Sequence, residues 1–288
     1  MKKLLAVLFS AALTLALASC APATTTPSAS PSATTSASPS DTPSASPSAT
    51  PSASTPAATP VELHIFAAAS LTDVLNSASA LWQQQYPNVK LTFTFDSSGT
   101  LSTQIQQGAD CDVFLSAAEK QMNDLSSGGY IDDSTRVDLW GNQLVLVVPN
   151  GNPAGITSFE DAATKAKSIA IGNSDVPAGQ YAQQVFTNMG VWDQIQAKAT
   201  LGSDVKEVTS WVSQGAADCG VVYATDAAAA GLQAVATPPD GTLTTPVTYP
   251  GAVIKSTPNA AEAADFLAFL QSDTCSALFT AAGFTTLS

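Results

Sequence analysis

Five turns of this 288-residue chain carry groups that donate hydrogen bonds without bearing charge. They are Ser70 in Ala67-Ala-Ala-Ser70-Leu-Thr-Asp73, and Ser97 with Ser98 in Asp96-Ser-Ser-Gly99-Thr100. The others are Val176-Pro-Ala178-Gly179, Ser203-Asp204-Val205-Lys206, and Tyr223 with Thr225 and Asp226 behind it. Each turn ends a strand-like run or opens a helix-like one. The first N–H groups of a helix have no acceptor within it, and the helix dipole is positive there, so such turns favour anions. A cage built only of donors suits a small, fully ionised oxyanion. A protonated one, such as hydrogen phosphate, would bury an unpaired proton at a cost of about 1–3 kcal/mol. Lys206 is the one cation among these turns and is expected to point to solvent. The residues alone leave a second account open: ordinary helix openings, with Ser70 no more than an N-cap.

Catalytic patterns are missing. The chain has no Gly-x-Ser-x-Gly elbow and no glycine-rich phosphate loop with a lysine, and its only histidine, His64, falls in a strand-like run. Asp132-Asp133 reads as a loop cap or a solvated pair. No enzyme activity, no cofactor and no site for a free metal cation are expected. The four cysteines include no Cys-x-x-Cys pair. With Cys20 set aside, Cys111, Cys219 and Cys275 make an odd number, so one disulfide and one free thiol is the simplest account. Cys111 with Cys275 is the pairing expected.

The elements that must position these turns alternate along residues 61–288. Val61, Leu63 and Ile65 alternate with Glu62 and His64, and Leu91–Phe95 repeats the period of two. Residues 112–116, 144–148, 168–171 and 220–223 are short apolar runs of the kind found in buried parallel strands. Helical spacing follows Ser70 (Val74, Leu75, Ala78, Leu81, Trp82) and recurs at 101–107, 119–125, 180–189 and 260–270. Residues 232–258, rich in Pro, Thr and Gly, read as a connection. The rhythm predicts an α/β fold with mainly parallel sheets flanked by helices. In such sheets ligands bind beyond the carboxyl ends of the strands, which is where the five turns fall.

The first sixty residues are of another kind. Lys2 and Lys3 precede an apolar run, Leu4–Leu17, too short to span a membrane comfortably, and the segment ends Leu17-Ala-Ser-Cys20. That ending resembles a bacterial lipobox, so residues 1–20 are expected to be a lipoprotein signal peptide, with Cys20 lipidated and anchoring the protein to the membrane. Residues 21–60 are almost wholly Ala, Pro, Ser and Thr and have too little apolar surface to fold, so they are expected to be a disordered linker. The chain has 23 acidic against 10 basic residues and a formal charge of −13, with no basic stripe for nucleic acid. An anion site here has to work by local geometry.

The ordered set Ala67-Ala-Ala-Ser-Leu-Thr72, Ser97-Ser98-x-Thr-Leu101, Asp112-Val-Phe-Leu-Ser-Ala117, Gly141-Asn-x-Leu-Val145, Val176-Pro-Ala-Gly-x-Tyr181, Gly220-Val-Val-Tyr-x-x-Asp-Ala227 and Gly283-Phe284 resembles the molybdate-binding proteins of bacterial ABC importers over nearly the whole of 61–288. The resemblance implies a two-lobed periplasmic-binding-protein fold of type II, closing on one molybdate or tungstate ion in the cleft. It implies that Ser70 and Ser98 hold the ion from one lobe. Backbone N–H groups of Ala178 and Val205 and the Tyr223 hydroxyl would hold it from the other. Asp96, Gly99, Asn173-Ser174 and Cys111 depart from the family's usual residues without removing a donor.

The expected lobes are 61–140 with 235–288, and 141–234. The expected function is an extracytoplasmic, lipid-anchored, monomeric solute-binding protein that delivers molybdate or tungstate to an ABC permease. The alternatives are a binding protein for another small oxyanion, such as sulfate, or an enzyme on the same scaffold.

Overall fold

The computed structural model describes residues 60–287. The expected signal peptide, Cys20 and all of the expected linker but Pro60 lie outside the described residues. The strands are β1 Val61–Ala68, β2 Val89–Asp96, β3 Val113–Leu115, β4 Val137–Asn142, β5 Leu144–Val148, β6 Ile169–Gly172, β7 Ala199–Gly202, β8 Cys219–Tyr223, β9 Gln233–Ala236, β10 Val247–Val253 and β11 Thr285–Thr286. The α-helices are α1 Thr72–Gln85, α2 Ser98–Gln106, α3 Glu119–Ser127, α4 Phe159–Thr164, α5 Pro177–Asn188, α6 Trp192–Gln196, α7 Val205–Ser213, α8 Ala224–Ala229, α9 Ala260–Leu270 and α10 Asp273–Ala281.

Two sheets result, in the orders β11-β4-β10-β3-β1-β2 and β7-β6-β8-β5-β9. β1 alternates Leu63, Ile65 and Ala67 into the core and pairs in parallel with both β2 and β3. In the second sheet β6 pairs in parallel with β7 and β8. The expected two-lobed α/β architecture is present, but the sheets are mixed rather than mainly parallel. β10 runs antiparallel to β3 and β4, and β5 runs antiparallel to β8 and β9. These strands flank the places where the chain passes directly from one sheet to the other, at Gln143 and between Ala236 and Val247. The two passages lie side by side, since Val247 is paired with Asn142.

The expected connection at 232–258 contains β9 and β10. β10 is central in its sheet and buried along its whole length. Pro250, which cannot donate to a ladder, is accommodated at a register shift between Tyr249 and Pro250.

Helix faces follow the apolar spacing. α1 buries Val74, Leu75, Ala78 and Trp82. The Trp82 ring meets Phe266 and Phe269 of α9 edge-on at 5.3 Å, an arrangement aromatic pairs favour. Burial of each such large side chain stabilises by about 1.5–3 kcal/mol. The expected Cys111–Cys275 disulfide is absent: Cys111, Cys219 and Cys275 are all free and buried. Cys111 sits in a satellite core with Phe66, Leu101 and Phe114, whereas Cys275 sits on α10 in the main core.

Candidate functional site

Ser70 occupies a short 3-10 turn, Ala69–Leu71, between β1 and α1. It does not cap the helix, as the simpler sequence account had it: the N-cap is Leu71, which offers no side chain, and Thr72 Oγ1 donates back to Ala69 O at 2.6 Å. The Ser70 hydroxyl is thereby left for other work. It is 7% exposed, and its Oγ lies 2.9 Å from the Tyr249 hydroxyl.

At the end of β2, Ser97 takes the capping role, its Oγ accepting from Thr100 N at 3.2 Å. Ser98, the first residue of α2, is fully buried, and its Oγ accepts from Ala117 N at 3.0 Å. With that lone pair occupied, its proton is available to an acceptor.

The second sheet supplies the other side. α5 opens on Pro177, whose fixed φ suits a first helical position and which has no N–H to satisfy. Its N-cap, Val176, contributes no side-chain acceptor, and Ala178 N has none among the described residues. Gly179 lets this helix start press against β6, for a Cβ there would lie 2.2 Å from Gly172 O. α7 opens on Val205 behind Asp204, which accepts from Glu207 N at 2.9 Å, while Glu207 accepts from Ser203 N at 2.7 Å. This reciprocal cap leaves the Val205 N–H unused. Tyr223 ends β8 at 1% exposure and donates to Ala117 O at 3.3 Å. Burial pushes its phenol well above the ordinary tyrosine range, so it stays a donor.

Ser70, Ser98, Ala178, Val205 and Tyr223 all line one small cavity, together with Ala117. Among the described residues Asp96 is its only charged lining residue, and that carboxylate is engaged by Ser97 N at 2.6 Å. A larger, more open groove beside the sheet-to-sheet passages, lined by residues such as Asn142, Pro238 and Asp240, contains none of the five.

The two sheets' elements also meet around the cavity. Gly99 N donates to Asp175 O at 2.9 Å, and Gln121 Nε2 to Gln180 Oε1 at 3.3 Å. Lys206 is not directed to solvent as expected. Its Nζ lies 2.5 Å from Asp73 Oδ2 on α1 and 3.6 Å from Asp226 Oδ1 on α8. Asp226 is 2% exposed, neither of its oxygens accepts a hydrogen bond among the described residues, and burial raises its pKa to about 7.

The family model for bacterial extracellular solute-binding proteins matches residues 63–285, which is nearly all of the described chain. The chain belongs to this family. Among relatives, this solute-binding protein is 37% identical to the putative ABC transporter substrate-binding lipoprotein YvgL of Bacillus subtilis, over 78% of this chain and 86% of that one. It is 34% identical to the molybdate-binding protein ModA of Haemophilus influenzae, over 76% of this chain and 88% of that one. Among solved structures it is similar to the substrate-binding domain of a putative molybdenum ABC transporter from Clostridium difficile. There the identity is 38% and the TM-score 0.60, covering 79% of this chain and all of the other.

Sequence reasoning singled out neither Ala117 nor Tyr249, both of which contact candidate site residues of this solute-binding protein. Ala117 acts through its backbone, which no side-chain pattern reports. Tyr249 lies in the stretch read as a connection. Its signal was the alternation Val247-Thr-Tyr249 before Pro250-Gly251 and the apolar run Ala252–Ile254 after it.

Proposed function

We propose that this chain captures molybdate, or tungstate of the same shape and charge, outside the cytoplasmic membrane and delivers it to the permease of an ABC importer. The observation that carries the oxyanion class is the convergence of five uncharged donor positions on one small cavity with no cation in its lining. Donors aimed from fixed helix openings need no reorganisation to receive a fully ionised tetrahedral ion. They provide few acceptors for the proton of hydrogen phosphate. Among the oxyanions, molybdate is chosen because relatives and a structural neighbour of high coverage bear molybdate or molybdenum in their names.

In this reading Ser70 and Ser98 hold the ion from the lobe built on the sheet of β1, and Ala178, Val205 and Tyr223 hold it from the lobe built on the sheet of β6. The ion stabilises the closed arrangement through contacts it makes only there. The protein acts as a monomer, without catalysis, tethered through lipid on Cys20 and spaced from the membrane by the Ser/Thr/Pro/Ala linker. The B. subtilis relative is named a lipoprotein, which supports the tether. Calorimetric titration of molybdate into the wild-type protein, Ser98→Ala and Tyr223→Phe tests the site. One ion bound per chain, with clear loss of affinity in both variants and little change in thermal stability, is expected. Unchanged affinity in both variants contradicts the site.

A further inference from the structure

We infer that Asn142 and Tyr249 form a donor relay that fixes the Ser70 hydroxyl as a hydrogen-bond donor into the cavity. They are thus positioning residues for a fully ionised ion. The inference rests on the oxyanion reading above.

The direction of the relay is set at its outer end. Gln143 N donates to Asn142 Oδ1 at 2.8 Å, which identifies that atom as the amide oxygen and turns the amide nitrogen the other way. Asn142 Nδ2 then donates to Thr225 Oγ1 at 2.9 Å and to the Tyr249 hydroxyl at 3.3 Å. An amide nitrogen cannot accept, so the single Tyr249 proton has to go elsewhere. Among the described residues its acceptor is Ser70 Oγ, at 2.9 Å. Tyr249 is fully buried, and burial holds its phenol protonated across the accessible pH range. Ser70 Oγ thus receives a proton from behind, and its own proton is directed toward the cavity that Ser70 lines. Ser98 is prepared the same way by a shorter route, Ala117 N donating to its Oγ.

A serine hydroxyl can donate or accept, and left free it would serve a protonated ligand as well as an ionised one. The relay removes that choice. It begins at the last residue of β4, just where the chain leaves the first sheet, and the same amide reaches Thr225 on α8 beyond the second sheet.

Asn142→Asp reverses the relay with almost no change of shape. A carboxylate oxygen in place of Nδ2 accepts the Tyr249 proton, Tyr249 then accepts from Ser70, and the cavity is faced by a lone pair. The added negative charge would also repel an anion directly, so the test is a double-mutant cycle with Ser70→Ala, read by molybdate titration. Asn142→Asp should weaken molybdate binding at least about tenfold in the wild-type background and less than about threefold in the Ser70→Ala background. The same factor in both backgrounds overturns the relay while leaving the oxyanion site standing. A Ser70→Ala protein that binds molybdate as tightly as wild type overturns the site reading and the relay together. If Asn142→Asp does not fold, Tyr249→Phe replaces it in the cycle. That variant keeps the ring and removes only the hydroxyl, with the same coupling to Ser70 expected and equal losses again decisive against the relay.

Discussion

Gly99 N donates to Asp175 O across the cleft at 2.9 Å, and a Cβ on residue 99 would lie 2.4 Å from that same oxygen. The obstacle is backbone on the far side, which cannot swing away as a side-chain tip could. Glycine at 99 is therefore a condition for the close approach of α2 to the start of α5.

Gly99→Ala should consequently separate stability from affinity. Alanine favours a helix over glycine by up to about 1 kcal/mol, so the melting temperature should hold or rise. Molybdate affinity should fall at least about tenfold, because full closure now meets a backbone contact. Thermal melts and calorimetry on the same sample read both effects, and a variant that binds normally would show that closure does not need this approach.

Lys206 joins Asp73 of α1 to α7 across the cleft, and Asp226 stands behind it. Asp73→Asn leaves the Lys206–Asp226 contact in place and removes only the cross-cleft partner. Dissociation of molybdate should quicken by about two- to fivefold at low ionic strength, as for a partly exposed pair. The difference from wild type should shrink as salt is raised. Stopped-flow release measured at two salt concentrations decides this, and a salt-independent rate increase would argue against an ion-pair latch.

Asp226 gives a pH signature of stability. Burial opposes its ionised form, and the nearby Asp73 and Asp204 carboxylates oppose it further, while Lys206 favours it. The net result raises its pKa from 3.8 to about 7. A raised folded-state value means that the folded protein holds a proton the unfolded chain has lost. The stability it contributes is present in full below about 3.8 and is lost as pH rises through about 7. Asp226→Asn has no proton to lose, so wild type should weaken relative to this variant between about pH 4 and pH 7 and then run parallel to it. Denaturant melts across that range provide the comparison. A difference that stays constant with pH would mean Asp226 is ionised in the folded protein.

Tyr223→Phe removes one neutral donor and keeps the ring, whose packing against Tyr249 at 5.7 Å should survive. A hydrogen bond to a charged group contributes about 1.5–3 kcal/mol, so molybdate affinity should fall roughly 10- to 100-fold. Thermal stability should change little, since the only protein acceptor lost among the described residues is the long contact to Ala117 O.

Much of this site was legible because its residues sit where strands end and helices begin, places marked by composition. The strand-turn-helix pattern located the turns that carry Ser98, Ala178, Val205 and Tyr223, and the family resemblance singled out those residues within them. For Ser70 the local pattern left cap and donor undecided, because Ser-x-x-Asp signals a cap whether or not the hydroxyl caps; only the family resemblance implied a ligand role. What the sequence concealed depends on long-range approach. Tyr249 is 179 residues from the serine it contacts and lies beside a proline that disguises its strand. Lys206 read as solvated because its partners, Asp73 and Asp226, lie on other helices. The expected disulfide failed for a related reason, since a parity count of cysteines says nothing about which core each thiol enters.

The central claim is that a cavity of uncharged donors selects a fully ionised tetrahedral ion, and one calorimetric series tests it. The purified protein is titrated in turn with molybdate, tungstate, sulfate and phosphate at neutral pH. Tight one-to-one binding of molybdate and tungstate, with phosphate weakest, is the result predicted. Phosphate binding as tight as molybdate, or no heat from any of the four, would contradict it.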